Sequence, residues 1–356
     1  MLESLIAYVT MGLAASFLGL ALVADPHDIE IADISLAESI VQSGYDGLAV
    51  EHALMADIDN LVSFSASHHA AETVSLNLVR GGYDRLANML GVEEAIVVVQ
   101  QVIGVTGSLV SLRFVEEKDG SYSAAVYIRD PHDLSMIGSA NLDVDGQDMA
   151  LLIQKVSAEI VAITEPYIYA TFLYQTEFDN ITEEHDTLRR HSATEWVDLQ
   201  ILKSGEDGSD LPWYLNLRGV IALDQKDYRD AIESFIEALA VEDEFPPALV
   251  NLGRASIELD SPEQALGYLE RTFGHESEYP IAHVYAAQAL LRLDRTDEAL
   301  DQLDQALEIA PDLEFGYLTR AEVLKRMGKL VSANIALEDA KIARIKRPNQ
   351  SFFQAD

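Results

Sequence analysis

The chain has 356 residues, 49% of them apolar, which is long and apolar enough for two folded domains and too apolar for a disordered protein. Its 24 Lys and Arg against 60 Asp and Glu leave a net charge of −36, a field that repels nucleic-acid phosphate and anionic lipid headgroups. Cysteine is absent, which excludes disulfides and thiolate chemistry. The charge is uneven, because residues 320–356 hold eight basic and four acidic residues, leaving 16 basic against 56 acidic, or −40, before them.

Residues 4–24 (SLIAYVTMGLAASFLGLALVA) carry no charge. As a helix rising about 1.5 Å per residue they span roughly 30 Å, the thickness of a bilayer core. A retained transmembrane anchor over 1–24 is the expectation. The competing reading is a cleaved signal peptide, which wants a basic n-region and a small residue three before the cut. Here Glu3 stands where Lys or Arg belongs, and cutting after Ala24 would put Leu22 at the small-residue position. Gly12, Ala15, Ser16 and Gly19 supply a small-residue face of the kind that packs against another membrane helix. The first Lys or Arg after the span is Arg80, so nothing holds the following segment in the cytoplasm, and the soluble part is expected outside it, in a periplasm.

From 25 to 165 the pattern mixes strand and helix. IEIADISL (29–36) alternates apolar and polar like a strand, and 46–61 reads as an amphipathic helix, with a second helix at 83–90. AIVVVQQVIG, SLVSLRFVEE, YSAAVYIR and IGSANLDV then read as four consecutive strands, with turns at Gly107, Asp119-Gly120 and Asp130-Pro131. A long helix opens at Asp148 and runs through Ala162 to a break at Pro166. The order predicts an α+β domain over 25–165.

Chemistry is sparse. Residues 141–146 (NLDVDG) begin like a calcium loop, but the twelfth place, which needs a bidentate Glu, is Leu152; a turn capped by Asp148 is the better reading. His68 and His69, read as strand neighbours, would point to opposite faces and could not share a metal. No His-Glu-x-x-His, Gly-x-Ser-x-Gly or phosphate loop is present, so no enzyme, cofactor or metal is expected.

Residues 166–211 are expected to be a helical connector, with YIYATFLYQTEF (167–178) helical, 203–210 a short flexible link, and a degenerate capping repeat between them. Beyond it four blocks of 34 residues align without a gap, at 212–245, 246–279, 280–313 and 314–347, leaving 348–356 as a tail. Their eighth place holds Gly219, Gly253, Ala287 and Ala321; their twentieth holds Ala231, Ala265, Ala299 and Ala333. The twenty-fourth holds Phe235, Leu269, Leu303 and Leu337, and the twenty-seventh Ala238, Thr272, Ala306 and Ala340. Small residues where two helices cross let the backbones approach, and the large one is expected to fill the gap between neighbouring units.

This small-small-large-small pattern, with Pro311 late in the third block, resembles the tetratricopeptide repeat (TPR) family. The resemblance implies that the α+β domain is followed by an all-α TPR superhelix, each unit a helix, a turn and a helix. Asp243 and Ser277 replace the late proline in the first two units, and Pro262 falls in a turn, where the first helical position tolerates it. The segment before the repeats is similar to the small α/β domain that precedes TPR arrays in bacterial membrane-bound or cyclase-associated regulators, on Gly104-Val-Thr-Gly107, Asp119-Gly120 and Lys155-Val-Ser-Ala-Glu-Ile160.

In the TPR family the first helices line a groove for peptides or partner helices. Carried over, this implies contacts from Trp213, Asn216 and Val220, then Val250, Asn251 and Arg254. The later units would add Ile281, Tyr285, Gln288 and Arg292, then Leu318, Thr319 and Glu322. Only Asn251 matches the carboxylate clamp of chaperone-binding members, and the places that should be basic hold Asn216, Ile281 and Tyr285. A clamp needs converging cations, so that activity is not expected. The expected function is a single-pass membrane scaffold or assembly protein of a bacterial envelope that recruits a protein partner, a membrane complex or a second copy of itself included, and no nucleic acid. A membrane-bound sensor, in which the α+β domain binds a small ligand or peptide and the array relays it, is the alternative.

Overall fold

The computed structural model describes residues 29–69, 108–131, 133–178, 191–205, 208–273 and 279–346. The anchor at 4–24, the helix at 83–90 and the strand at 95–104 expected from the sequence lie outside these residues. Among the described residues no helix is long and apolar enough to cross a membrane. The chain divides into two compact units, 1–169 and 170–356.

In the first unit β1 (Ile29–Leu36), β2 (Ser108–Glu116), β3 (Tyr122–Arg129) and β4 (Met136–Val144) form one sheet in that order. β1 pairs parallel to β2, whereas β2, β3 and β4 are joined as antiparallel hairpins. A register shift between Ile31 and Asp33 explains how IEIADISL works as a strand. The apolar spacing slips by one after Ile31, and the irregularity absorbs the extra residue, so that Ile31, Ile34 and Leu36 sit opposite Val110, Leu112 and Phe114.

One face of this sheet is buried through Val110, Leu112 and Phe114, Tyr122, Val126 and Ile128, and Leu142 and Val144. Two helices supply the matching apolar stripes. α2 (Gly47–His69) follows the short α1 (Glu38–Gln42), buries Val50, Leu54, Ile58 and Leu61, and is opened by Asp46, whose Oδ1 accepts from the Ala49 amide at 2.7 Å. α3 (Met149–Thr164) buries Met149, Leu152, Val156 and Ile160. Fully burying side chains of this size contributes about 1.5–3 kcal/mol each. Gly138 lets α3 approach β4, since a Cβ there would lie 2.7 Å from the Ile163 side chain.

The calcium-like stretch is part of this framework. Asn141 and Asp143 are paired with Ala125 and Ser123 in the β3–β4 ladder, Gly146 turns the chain at φ 77°, and Asp148 caps α3 by accepting from the Leu151 amide at 3.0 Å. The histidines at 68 and 69 end α2 instead of lying on a strand. Among the described residues no group of three His, Asp or Glu is placed to hold a metal ion.

The second unit is helical. α4 (Pro166–Phe178) begins at Pro166 and runs across the boundary between the units, and α5 (Ala193–Ser204) takes up the first two residues of the expected link. A reciprocal capping box between Ser192 and Glu195 opens α5, and Glu177 accepts from the Ala193 amide at 2.9 Å. Four helix pairs follow: α6 (Leu211–Asp224) with α7 (Tyr228–Val241), α8 (Pro246–Glu258) with α9 (Pro262–Glu270), α10 (Pro280–Arg292) with α11 (Thr296–Ile309), and α12 (Glu314–Arg326) with α13 (Leu330–Lys346). Their first helices start on the 34-residue register.

The aligned residues pack as that register requires. Gly219 faces Phe235 and Gly253 faces Leu269 so closely that a Cβ would lie 2.4 and 2.5 Å from them. Ala231, Ala265, Ala299 and Ala333 are buried beside them. The acidic helix α11 buries Ala299, Leu303 and Ala306 and leaves Asp297, Asp301, Asp304 and Glu308 exposed. Leu266 and Leu300 are half-buried against the core of the unit that follows them.

Two periodic features are added by the structure. Lys226, Asp260, Asp294 and Gly328, 34 apart, all have positive φ (66°, 56°, 57° and 75°), though only the last is glycine. Each closes its first helix as a Schellman cap, with the next amide returning to the carbonyl five residues back: Asp227 to Ala222 and Ser261 to Ser256 at 2.8 Å, Arg295 to Leu290 and Lys329 to Leu324 at 2.9 Å. The face that seats a following unit also changes along the array. Leu300, Leu307 and Ala310 of the third unit correspond to Asn334, Lys341 and Arg344 of the fourth, all exposed.

Candidate partner-binding face of the repeat array

α7, α9 and α11 each pack against the first helices on both sides, and successive first helices also touch one another, α6 with α8, α8 with α10 and α10 with α12. No two second helices among the described residues pack as closely. The first helices therefore form the inner wall of the array, and residues at one place in the repeat line up along it.

The expected groove residues divide into two groups on this wall. One group braces unit to unit. Asn251 donates from Nδ2 to Asn216 Oδ1 at 2.9 Å, and Asn216 is buried. Arg254 donates from Nη2 to Asp224 Oδ1 at 3.1 Å, with 12% and 17% of the two side chains exposed. Asp224 also accepts from the Tyr174 hydroxyl, which reaches it from α4. Tyr285 is buried, its ring edge-on to Phe315 at 5.7 Å between centroids. Trp213 is half-buried and edge-on to Phe245 at 4.9 Å. Val220, Val250 and Thr319 are buried and Ile281 is half-buried against its neighbours.

Electrostatics strengthen this bracing. Burial disfavours the Arg254 charge, but Tyr285 and Asp224 beside it more than offset that, and its pKa is shifted upward. Burial also pushes the Tyr285 phenol up, with the Arg254 charge working against the shift. The guanidinium is thus committed within the wall.

The second group is open: Arg292 and Glu322 are exposed, and Gln288 and Leu318 are half-buried. Arg292 reaches Asp260 at 3.4 Å, and Arg326 reaches Asp294 at 2.6 Å, the same pair one repeat later. The left-handed Asp of one unit therefore meets the Arg at the end of the next unit's first helix. Both pairs are exposed and worth about 0–1 kcal/mol each, so a ligand can compete for either cation at little cost.

Sequence reasoning missed Asp224, Phe315 and Tyr174, and the first two lie on the same first helices as the expected residues. Asp224 stands at the thirteenth place of its unit, where Arg292 and Arg326 stand in theirs, so the register offered a signal. Tyr174 precedes the repeats and had none.

The tetratricopeptide repeat profile matches residues 222–272 and 258–322. Among solved structures, MamA (residues 41 to the end) from Desulfovibrio magneticus RS-1 is 16% identical, covers 48% of this chain and 96% of its own, and has a TM-score of 0.38. PilW, a type IV pilus biogenesis factor, is 15% identical over 54% of this chain and 81% of its own, with a TM-score of 0.42. YrrB, a TPR protein with an unusual peptide-binding site, is 17% identical over 54% and 94%, with a TM-score of 0.35. Likeness at this level carries no functional statement. No curated protein matches the chain in sequence. On the profile match and the observed helix pairs together, the chain carries tetratricopeptide repeats.

Proposed function

We propose that the repeat array is the binding part of a scaffold or assembly protein, recruiting a protein partner to the inner wall of its first helices without cofactor or catalysis. The observation that supports this most is the bracing of that wall by the Asn216–Asn251 and Asp224–Arg254 contacts. A surface fixed before the partner arrives loses little conformational entropy on binding. Contact then falls to Gln288, Arg292, Leu318 and Glu322, whose aliphatic, amide and charged groups suit an extended peptide or a partner helix.

On this reading residues 4–24 hold the protein in a bacterial envelope as a single span, with the array on the periplasmic side. The test is a crosslinking pull-down from native membranes with Gln288→Ala/Arg292→Glu. Capture is expected to fall at least tenfold with the circular dichroism of the array unchanged. Undiminished capture by the folded variant would overturn the assignment of the wall, and release of the full chain by carbonate would overturn the span.

A further inference from the structure

α13 stands in the fourth unit where α11 stands in the third, so their residues can be compared one by one at a separation of 34. The outward places of α11 are Asp297, Asp301 and Glu308; on α13 the same places hold Val331, Ile335 and Ile342, and Ile345 follows one turn on. These four are 77%, 58%, 51% and 78% exposed. At about 100° per residue they fall within an arc of about 80°, opposite the buried Ala333, Ala336, Ala340 and Ala343. The chain has thus exchanged a carboxylate face for an aliphatic one in a single unit.

The spacing of the stripe and the charge around it point to one occupant. Counted from Glu338, the four lie at −7, −3, +4 and +7. This arrangement is nearly unchanged on reversal, so an antiparallel copy of α13 brings Val331 onto Ile345 and Ile335 onto Ile342. Self-complementarity of this kind is what a two-fold axis requires. α13 sets Lys341, Arg344 and Lys346 against Glu338 and Asp339, close to balance in a chain of net charge −36, so like-charge repulsion between two copies is smaller here than over the acidic remainder. Glu338 lies within this arc, at the centre of the arrangement, and accepts from Lys341 of its own copy at 2.8 Å, so each copy would bring a Glu–Lys pair and not a bare carboxylate to the axis; Glu314 likewise accepts from Arg344 at 2.7 Å. An anionic lipid surface would face the acidic remainder of the molecule as well as this helix.

We propose that the outer face of α13 is a homodimer interface, two copies packing antiparallel about Glu338. It lies away from the inner wall, so a dimer would present two walls to a partner and gain avidity from both. The four aliphatic residues supply the apolar part around the Glu338–Lys341 pair, and the flanking side chains the remainder, of the roughly 800 Å² per copy that a stable interface needs.

Because the chain has no native cysteine, a single one reports the contact directly. Under mild oxidation the full chain carrying Glu338→Cys is expected to form a disulfide-linked dimer in high yield. Asp304→Cys, the same place one unit earlier, is expected not to. In sedimentation, Val331→Asp/Ile335→Asp/Ile342→Glu, which copies the third unit onto the fourth, is expected to weaken self-association at least 100-fold with helicity kept. Equal crosslinking at 338 and 304 would overturn the proposal. A wild type that stays monomeric at tens of micromolar would do so too, whether the stripe then proves to bind phosphatidylglycerol vesicles or to be covered by residues 347–356.

Discussion

In the sheet unit Ile29 pairs with Ser108, and the residues that close the core come from a helix between those two strands and from another after β4. In the repeat array each helix packs on its neighbours in sequence or on the corresponding helix of the next unit. The first design succeeds or fails as a whole, because loss of one strand removes the support of the others. The second adds stability unit by unit, so damage stays near where it is done.

The largest expected effect tests the first half of this contrast. Phe114→Ala empties a fully buried site on β2 and should cost about 3–5 kcal/mol. Hydrogen exchange should show protection falling together from β1 to β4 while the array amides keep theirs; a loss confined to β2 would break the comparison. Arg254→Met comes next, at about 3 kcal/mol, because it leaves the mostly buried Asp224 carboxylate without its cation. Its loss should appear in the first two units and leave α12 and α13 protected.

Gly253→Leu should cost about 2 kcal/mol through overpacking against Leu269, again confined to the second unit and its neighbours. The smallest effect is a gain. Lys226→Gly relieves a left-handed residue and should raise stability by about 0.5–1 kcal/mol, read as a higher melting temperature, while Gly328→Ala at the equivalent place should lower it by about as much.

The same contrast decides what could be read beforehand. Packing at 34-residue intervals leaves Gly219, Ala231 and Phe235 and their counterparts in plain view, because the constraint is local and written four times. The parallel pairing of β1 with β2 depends on a distant segment, and the irregularity after Ile31 becomes intelligible only against Val110 and Leu112. Side-chain partners were legible to an intermediate degree. The repeat identified the inner wall, but which of its residues are spent on bracing depends on reach: Arg254 finds Asp224 across 30 residues and Tyr285 finds Phe315, while Arg292 and Glu322 stay open. The left-handed places escaped notice because Lys and Asp do not announce such a conformation as glycine does.

The polar end of the fourth unit bears on how long such an array is permitted to be. Leu300, Leu307 and Ala310 act as a socket for the next module, and Asn334, Lys341 and Arg344 close the corresponding socket by solvating it. The changes from Leu300 to Asn334 and from Leu307 to Lys341 make onward packing at this register less favourable than it is between the third and fourth units. Asn334→Leu, Lys341→Leu and Arg344→Ala would reopen a growing end, onto which a copy of the third unit could be grafted.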